Sequence, residues 1–268
     1  MHTLTVRRSI ITSMVIVVLT AVAIFGIDRF GKNSRVFSRA GTILALGIDK
    51  KLVDNPADAY RIWKQAGYLG RTVVYVSDRW ESFDPGELIP VQMFRAYPLQ
   101  LYNTAKLFED DYLNGVTFLY VASLNKIVRK IVAIVPESEV GRMKEAARMV
   151  KNSHVSDKGV YITRQGFPSW FTTGARFDGA GEPALLYIGA SYFRHAEPED
   201  LYRQLSSSGL QTDCVILCAE KGKDTVTPIE IAKLNRFARL IGISTASAGS
   251  DDMKTSGIQM QQRTVPAS

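Results

Sequence analysis

The residues able to do chemistry are few, and they gather just after short apolar runs. Asp49 follows Thr42 to Gly47, Asp78 follows Thr72 to Val76, Ser191 and His195 follow Leu185 to Ile188, and Glu220 follows Cys214 to Cys218. In an open α/β sheet such strand ends line the ligand crevice. Carboxylates such as Asp49 and Asp78, brought together there, serve as acid and base or hold a divalent cation. Ser191 with His195 offers a nucleophile and its base. Arg79 and Trp80 after the second run, Arg194, and Trp170 with Phe171 supply cations and aromatic surface for a ligand or partner. Polar residues also end buried strands simply because the chain reaches water, so position alone does not make a site.

The standard signatures are missing. The chain has no glycine-rich phosphate loop, no G-x-S-x-G elbow, no H-E-x-x-H and no paired C-x-x-C. His2, His154 and His195 are too few for a His-rich metal site, and no metal or cofactor is expected. Cys214 and Cys218 fall on one expected strand, about 13 Å apart at ~3.3 Å per residue, too far to bridge. They read as small buried hydrophobes.

The elements that position these residues are written twice. Thr42 to Asp78 laid on Ala184 to Glu220 shares Leu44/Leu186, Gly47/Gly189, Pro56/Pro198, Asp58/Asp200, Tyr60/Tyr202, Arg61/Arg203, Gly67/Gly209 and Val73/Val215. Each copy reads as strand, helix, strand. In the first, Asn55 stands at an N-cap, Pro56 at the first helical position and Asp58 in the first turn. Ala59, Ile62, Trp63 and Ala66 form one apolar stripe, and Gly67 stops the helix. Two such units predict an α/β fold with a mainly parallel sheet built on duplicated βαβ units.

Between the copies the pattern predicts a helix over Pro98 to Phe108, strands over Val116 to Ala122 and Ile127 to Val135, a helix opened by Pro136, and a strand over Gly159 to Thr163. Gly166 to Pro183 reads as an irregular connection carrying Phe167, Trp170, Phe171 and Phe177. After the second copy, Thr227 to Glu230 is a capping box with Pro228 at N1, opening a final helix closed by Gly242.

The ends differ in character. Residues 1–8 form a short basic tail, 9–27 a 19-residue uncharged run, 28–41 a basic linker, 42–243 one α/β domain, and 244–268 a Ser/Thr/Gln-rich tail expected to be disordered. The uncharged run matches a bilayer core of about 30 Å and is expected to be a transmembrane anchor; Ala21-Val22-Ala23 leaves cleavage as a signal peptide open. A short tail with Arg7 and Arg8 ahead of a first span stays in the cytoplasm, placing the domain outside it. The net charge of +7 comes from scattered Lys and Arg, with Arg29 to Arg39 positioned for lipid headgroups, so no nucleic-acid partner is expected.

Together these features predict a membrane-anchored extracytoplasmic α/β protein that binds a ligand or partner in the cell envelope, an accessory to an assembly or polysaccharide system with a protein or glycan partner. The alternative is a membrane-tethered hydrolase or transferase using the strand-end carboxylates.

Overall fold

The computed structural model describes residues 41–45, 47–78, 80, 113–164, 167–221 and 226–244. The expected span over 9–27, the expected helix over 98–108 and Arg79 lie outside them.

Helices begin where the local chemistry says they should. Helix α1 (Pro56–Gln65) starts behind Asn55, whose side chain accepts the Ala57 N–H, with Pro56 in its first turn. Helix α3 (Glu137–Ala147) starts behind Pro136 and buries Val140, Met143 and Ala147. Helix α4 (Pro198–Ser207) has Pro198 in its first turn but no side-chain cap from Glu197. Helix α5 (Pro228–Leu240) opens with the Thr227/Glu230 capping box. Helix α2 (Phe118–Leu124) has no side-chain cap, and all seven of its residues are buried.

The strands are β1 (Gly41–Thr42), β2 (Asp49–Val53), β3 (Arg71–Val76), β4 (Val128–Ile134), β5 (Ser153–Val155), β6 (Val160–Arg164), β7 (Phe167–Thr172), β8 (Ala184–Gly189) and β9 (Gln211–Cys218). They form one sheet in the order β1-β9-β8-β3-β4-β7-β6-β5, with β2 also on β9. Strands β2, β9, β8, β3, β4 and β7 run parallel. The antiparallel pairs are β1 on β9 at one end and β7-β6-β5 at the other. The fold is therefore mixed α/β with a mostly parallel sheet.

Alternation along the strands divides the core in two. Val73, Tyr75, Leu185, Tyr187, Cys214, Ile216 and Cys218 pack with α1, α2 and α3. Val74, Val76, Leu186, Ile188, Val215 and Leu217 pack with α4 and α5. Since both faces are covered, β3 and β8 are buried along their full length. The two cysteines are free and buried. Burial pushes both thiols up to about 12, so neither supplies a thiolate near neutral pH.

Four expectations need correction. The described part of the apolar run, Thr42 to Ala45, is not a parallel strand: among the described residues only Gly41–Thr42 pairs there, antiparallel to β9, before a turn with Ala45 N–H on Thr42 O and Gly47 at φ +93°. The parallel strand of this region is β2, whose Asp-Lys-Lys-Leu-Val sequence suits an edge. Val116 to Ala122 is not a strand but the approach to α2 and most of it. Its β-branched and aromatic residues cover the sheet from all sides of a buried helix, which erases helical periodicity. Gly166 to Pro183 is not an irregular connection, because β7 occupies Phe167–Thr172 between β4 and β6. Pro168 is tolerated there because β4 begins to pair only at Ser169.

The fourth correction concerns pairing. At the spacing of 142 residues Pro56–Gln65 falls on Pro198–Ser207, and Val73 to Val76 falls on Val215 to Cys218. The first strands do not correspond. Strands β8 and β9 are parallel neighbours, whereas β2 and β3 are separated by β9 and β8.

Candidate functional site

Strands β3 and β8 lie side by side, yet their connections part company beyond their carboxyl ends. From β3 the chain continues to α2 and β4 on one side; from β8 it continues through α4 to β9 on the other. Because α2 and α4 cover opposite faces, the parting leaves a switch point at these strand ends, where ligands bind in sheets of this kind.

Ser77 and Asp78 lie here after β3, Ser191 on the 3-10 turn Ala190–Arg194 after β8, and Glu220 after β9. All four are buried: Ser77 and Ser191 at 0%, Glu220 at 3% and Asp78 at 8% exposure. Buried polar groups need partners, and the partners tie the three strand ends together. The Ser77 and Ser191 hydroxyls meet at 3.4 Å, and Ser77 Oγ donates to Asp78 Oδ1 at 3.4 Å. The Ser191 N–H donates to Glu220 Oε2 at 2.8 Å. Arg194 joins Asp78 Oδ2 at 3.4 Å to Glu230 Oε1 at 2.7 Å, while Glu230 Oε2 accepts the Thr227 N–H at 2.6 Å. One carboxylate thus caps α5 and anchors the arginine.

Glu220 is held in an unusual backbone conformation, φ +52°, in the left-handed region that side chains seldom adopt. The Ala219 and Lys221 N–H groups donate to Val53 O and Asp54 O, both at 2.8 Å. Pinned on both sides, residue 220 turns its carboxylate over Gly189, where a Cβ would lie 2.8 Å from Glu220 Cδ. Strain of this kind collects at functional sites.

Not every expected residue belongs to this cluster. Asp49 begins β2 opposite Cys214 instead of ending a strand, so it sits on the amino edge, roughly 20 Å from Asp78 by strand rise and spacing. The cause is the misplaced first strand. His195 is exposed and ends the 3-10 turn with its N–H on Tyr192 O, whereas Ser191 Oγ faces Ser77. No nucleophile–base pair between Ser191 and His195 forms among the described residues. Trp170 is partly buried in one core cluster and Phe171 fully buried in the other. Trp80 packs edge-on against Tyr75 and Phe171, at centroid distances of 5.7 and 5.2 Å. These three aromatics fill the core instead of lining a loop.

The sequence marks Glu230 only as a capping residue and gives Glu139 no site role. Glu139 accepts the Trp80 N–H at 2.9 Å and Arg142 Nε at 2.9 Å, clamping the chain as it leaves β3. Each acid sits in the first turn of a helix behind a proline, and that signal reads equally well as capping alone.

Among the described residues no group of three or more His, Cys, Asp or Glu is placed to hold a metal ion, and no helix is long and apolar enough to cross a membrane. Comparison with known proteins gives no matching family model, no matching curated protein and no matching solved structure.

Proposed function

We propose that this chain is a membrane-anchored, extracytoplasmic ligand- or partner-binding protein of the cell envelope, anchored through residues 9–27 and binding at the carboxyl edge of its sheet. The observation that carries the reading is the buried polar cluster of Ser77, Asp78, Ser191 and Glu220 at the switch point. Among the described residues Asp78 and Glu230 pair with Arg194, and Glu220 accepts the Ser191 N–H beside them. This balance disfavours phosphate and other anions and suits a hydroxyl-rich partner such as an envelope glycan. The anchor is supported by the uncharged run Ser9 to Ile27 between Arg7-Arg8 and Asp28-Arg29.

The scaffold for this edge derives, in this reading, from a duplicated βαβ unit. The support is the coincidence of α1 with α4 and of β3 with the second half of β9 at one spacing. The displaced β2 then marks where the first copy diverged, when β1 took the start of the β9 edge.

A hydrolase or transferase remains the second reading, on the contact of Ser77 Oγ with Asp78 Oδ1 at 3.4 Å. There a serine hydroxyl donates to a buried strand-end carboxylate.

Membrane fractionation with a reporter fused after Gly242 tests the anchor. Activity only in the cytoplasm overturns the orientation, and release of a shortened chain overturns the anchor. Calorimetric titration of the detergent-solubilised chain with envelope glycan fragments tests the site. Binding abolished by Asp78→Asn at unchanged melting temperature supports it. Product release from those fragments, lost in Ser77→Ala, favours the enzyme.

A further inference from the structure

The amino edge of the sheet, opposite the candidate site, carries a different surface. Gly41 and Thr42 pair there with Thr212 and Gln211 at the start of β9. The turn that follows exposes Leu44 at 47%, the turn before β3 exposes Leu69 at 44%, and the end of α3 exposes Met149 at 85%. Exposed Lys and Arg stand among them. Lys126 O accepts the Gly70 N–H beside Leu69, Arg148 and Lys151 flank Met149, and Arg239 sits in the last turn of α5, next to the Ile241 carbonyl that Lys50 reaches from β2.

None of these four cations pairs with a carboxylate among the described residues. The acids of this edge are largely engaged elsewhere: Glu182 pairs with Arg129 at 2.6 Å and Asp213 with Arg71 at 3.2 Å, leaving Asp49 and Glu145 exposed. Apolar side chains projecting among lysines and arginines match the chemistry of an anionic lipid interface. The opposite edge, with Asp78, Glu139, Glu220 and Glu230, does not.

We propose that the amino edge docks on an anionic phospholipid surface. This rests on the membrane-anchor reading and extends it from a tether to an orientation. Strand β9, Gln211–Cys218, spans about 25 Å at ~3.3 Å per residue, so docking presents the carboxyl edge that far from the bilayer, facing a partner in the envelope.

The full chain, reconstituted in vesicles of phosphatidylcholine with or without phosphatidylglycerol, tests this. An environment-sensitive fluorophore is attached at Met149→Cys, or at Ile229→Cys, whose parent is 70% exposed at the start of α5 on the opposite edge. The native cysteines are fully buried and stay unlabelled. Docking gives a blue shift at position 149 only when phosphatidylglycerol is present. The shift is reversed by high salt and absent when Lys126→Glu, Arg148→Glu, Lys151→Glu and Arg239→Glu are combined, and position 229 does not respond. Equal emission in the two lipids, or an equal shift at 229, overturns the proposal. Carbonate extraction separates the two readings: a chain released from vesicles overturns the anchor, while one that stays but shows no shift overturns only the docking.

Discussion

Buried acids occur at both edges of the sheet, and the edges treat them differently. At the carboxyl edge Glu220 accepts a backbone N–H at 2.8 Å, and Glu230 accepts one at 2.6 Å together with an arginine Nε at 2.7 Å. At the amino edge Asp213 is 2% exposed, and neither of its carboxylate oxygens has a hydrogen-bond donor. Arg71 Nε lies 3.2 Å from Asp213 Oδ2, close enough for an ion pair but without the alignment of a hydrogen bond. The bulge in β9 explains this. Ala184 pairs with Thr212 and Leu185 with Cys214, so Asp213 is the extra residue, at the point where β9 changes partner from β1 to β2. One edge is organised around its carboxylates; the other tolerates one as a by-product of strand register.

The largest expected effect follows from that contrast. Arg71→Ala leaves Asp213 as an uncompensated buried charge and is expected to cost about 3–5 kcal/mol in urea unfolding at neutral pH. Burial raises the Asp213 carboxyl above its usual 3.8, and Arg71 opposes the rise. For a raised carboxyl, the stabilising contribution is complete below the unfolded value and disappears as pH climbs through the folded value. Removing Arg71 pushes the folded value further up, so the deficit of the variant should shrink on acidification. A deficit independent of pH would show that Asp213 is not the cause. Replacing both partners with apolar residues should recover most of the loss.

At the carboxyl edge the effect should be smaller, because the group left behind is a neutral N–H and not a buried charge. Glu220→Ala strands the buried Ser191 N–H and is expected to cost about 1–3 kcal/mol; Glu220→Gln, which keeps an acceptor, costs less. Gly189→Ala drives a Cβ to 2.8 Å from the Glu220 carboxylate and should cost about 1–3 kcal/mol through displacement. The double variant should lose less than the sum of the singles, since the clash disappears with its target. Strict additivity in urea midpoints would show that the two residues do not meet.

Arg194→Ala sharpens the comparison further. Its side chain is 36% exposed while its partner carboxylates are 5% exposed. Solvent replaces part of the lost interaction, so about 1–2 kcal/mol is expected, less than for Arg71. A loss equal to that of Arg71→Ala would erase the distinction between the edges.

How much of this was legible depended on whether the signal was local. Pro56, Pro198 and Pro228 sit in first turns because a fixed φ and a missing N–H suit that position whatever the tertiary surroundings. The ends of β3, β8 and β9 were legible because strands buried on both faces are continuously apolar, so Ser77, Asp78, Ser191 and Glu220 stand out where each run stops. Asp49 was misplaced because β2 is an edge strand with polar leading residues, while the apolar run before it belongs to a turn that plugs Ile43 into the core. Residues 118–124 were misread because burial on every side leaves no periodicity. The link from Arg194 to Asp78 spans 116 residues. No local pattern encodes such a contact.

The smallest effect separates helices α1 and α4. Asn55 caps α1 through its side chain, whereas Glu197 stands at the same position of α4 without a side-chain cap. Asn55→Ala is expected to cost about 1 kcal/mol. Glu197→Asn should return only part of that amount to α4, because Glu197 also pairs with Lys233 at 2.6 Å, an interaction Asn cannot replace. That pair is partly exposed, so its loss should be worth well under 1 kcal/mol, leaving a net gain. Lys233 also donates to Phe193 O at 3.2 Å, holding the turn that carries Ser191 and Arg194. If Glu197→Asn lowers stability, Glu197 holds Lys233 onto that turn. Its carboxylate then serves the candidate site more than it serves the helix it precedes.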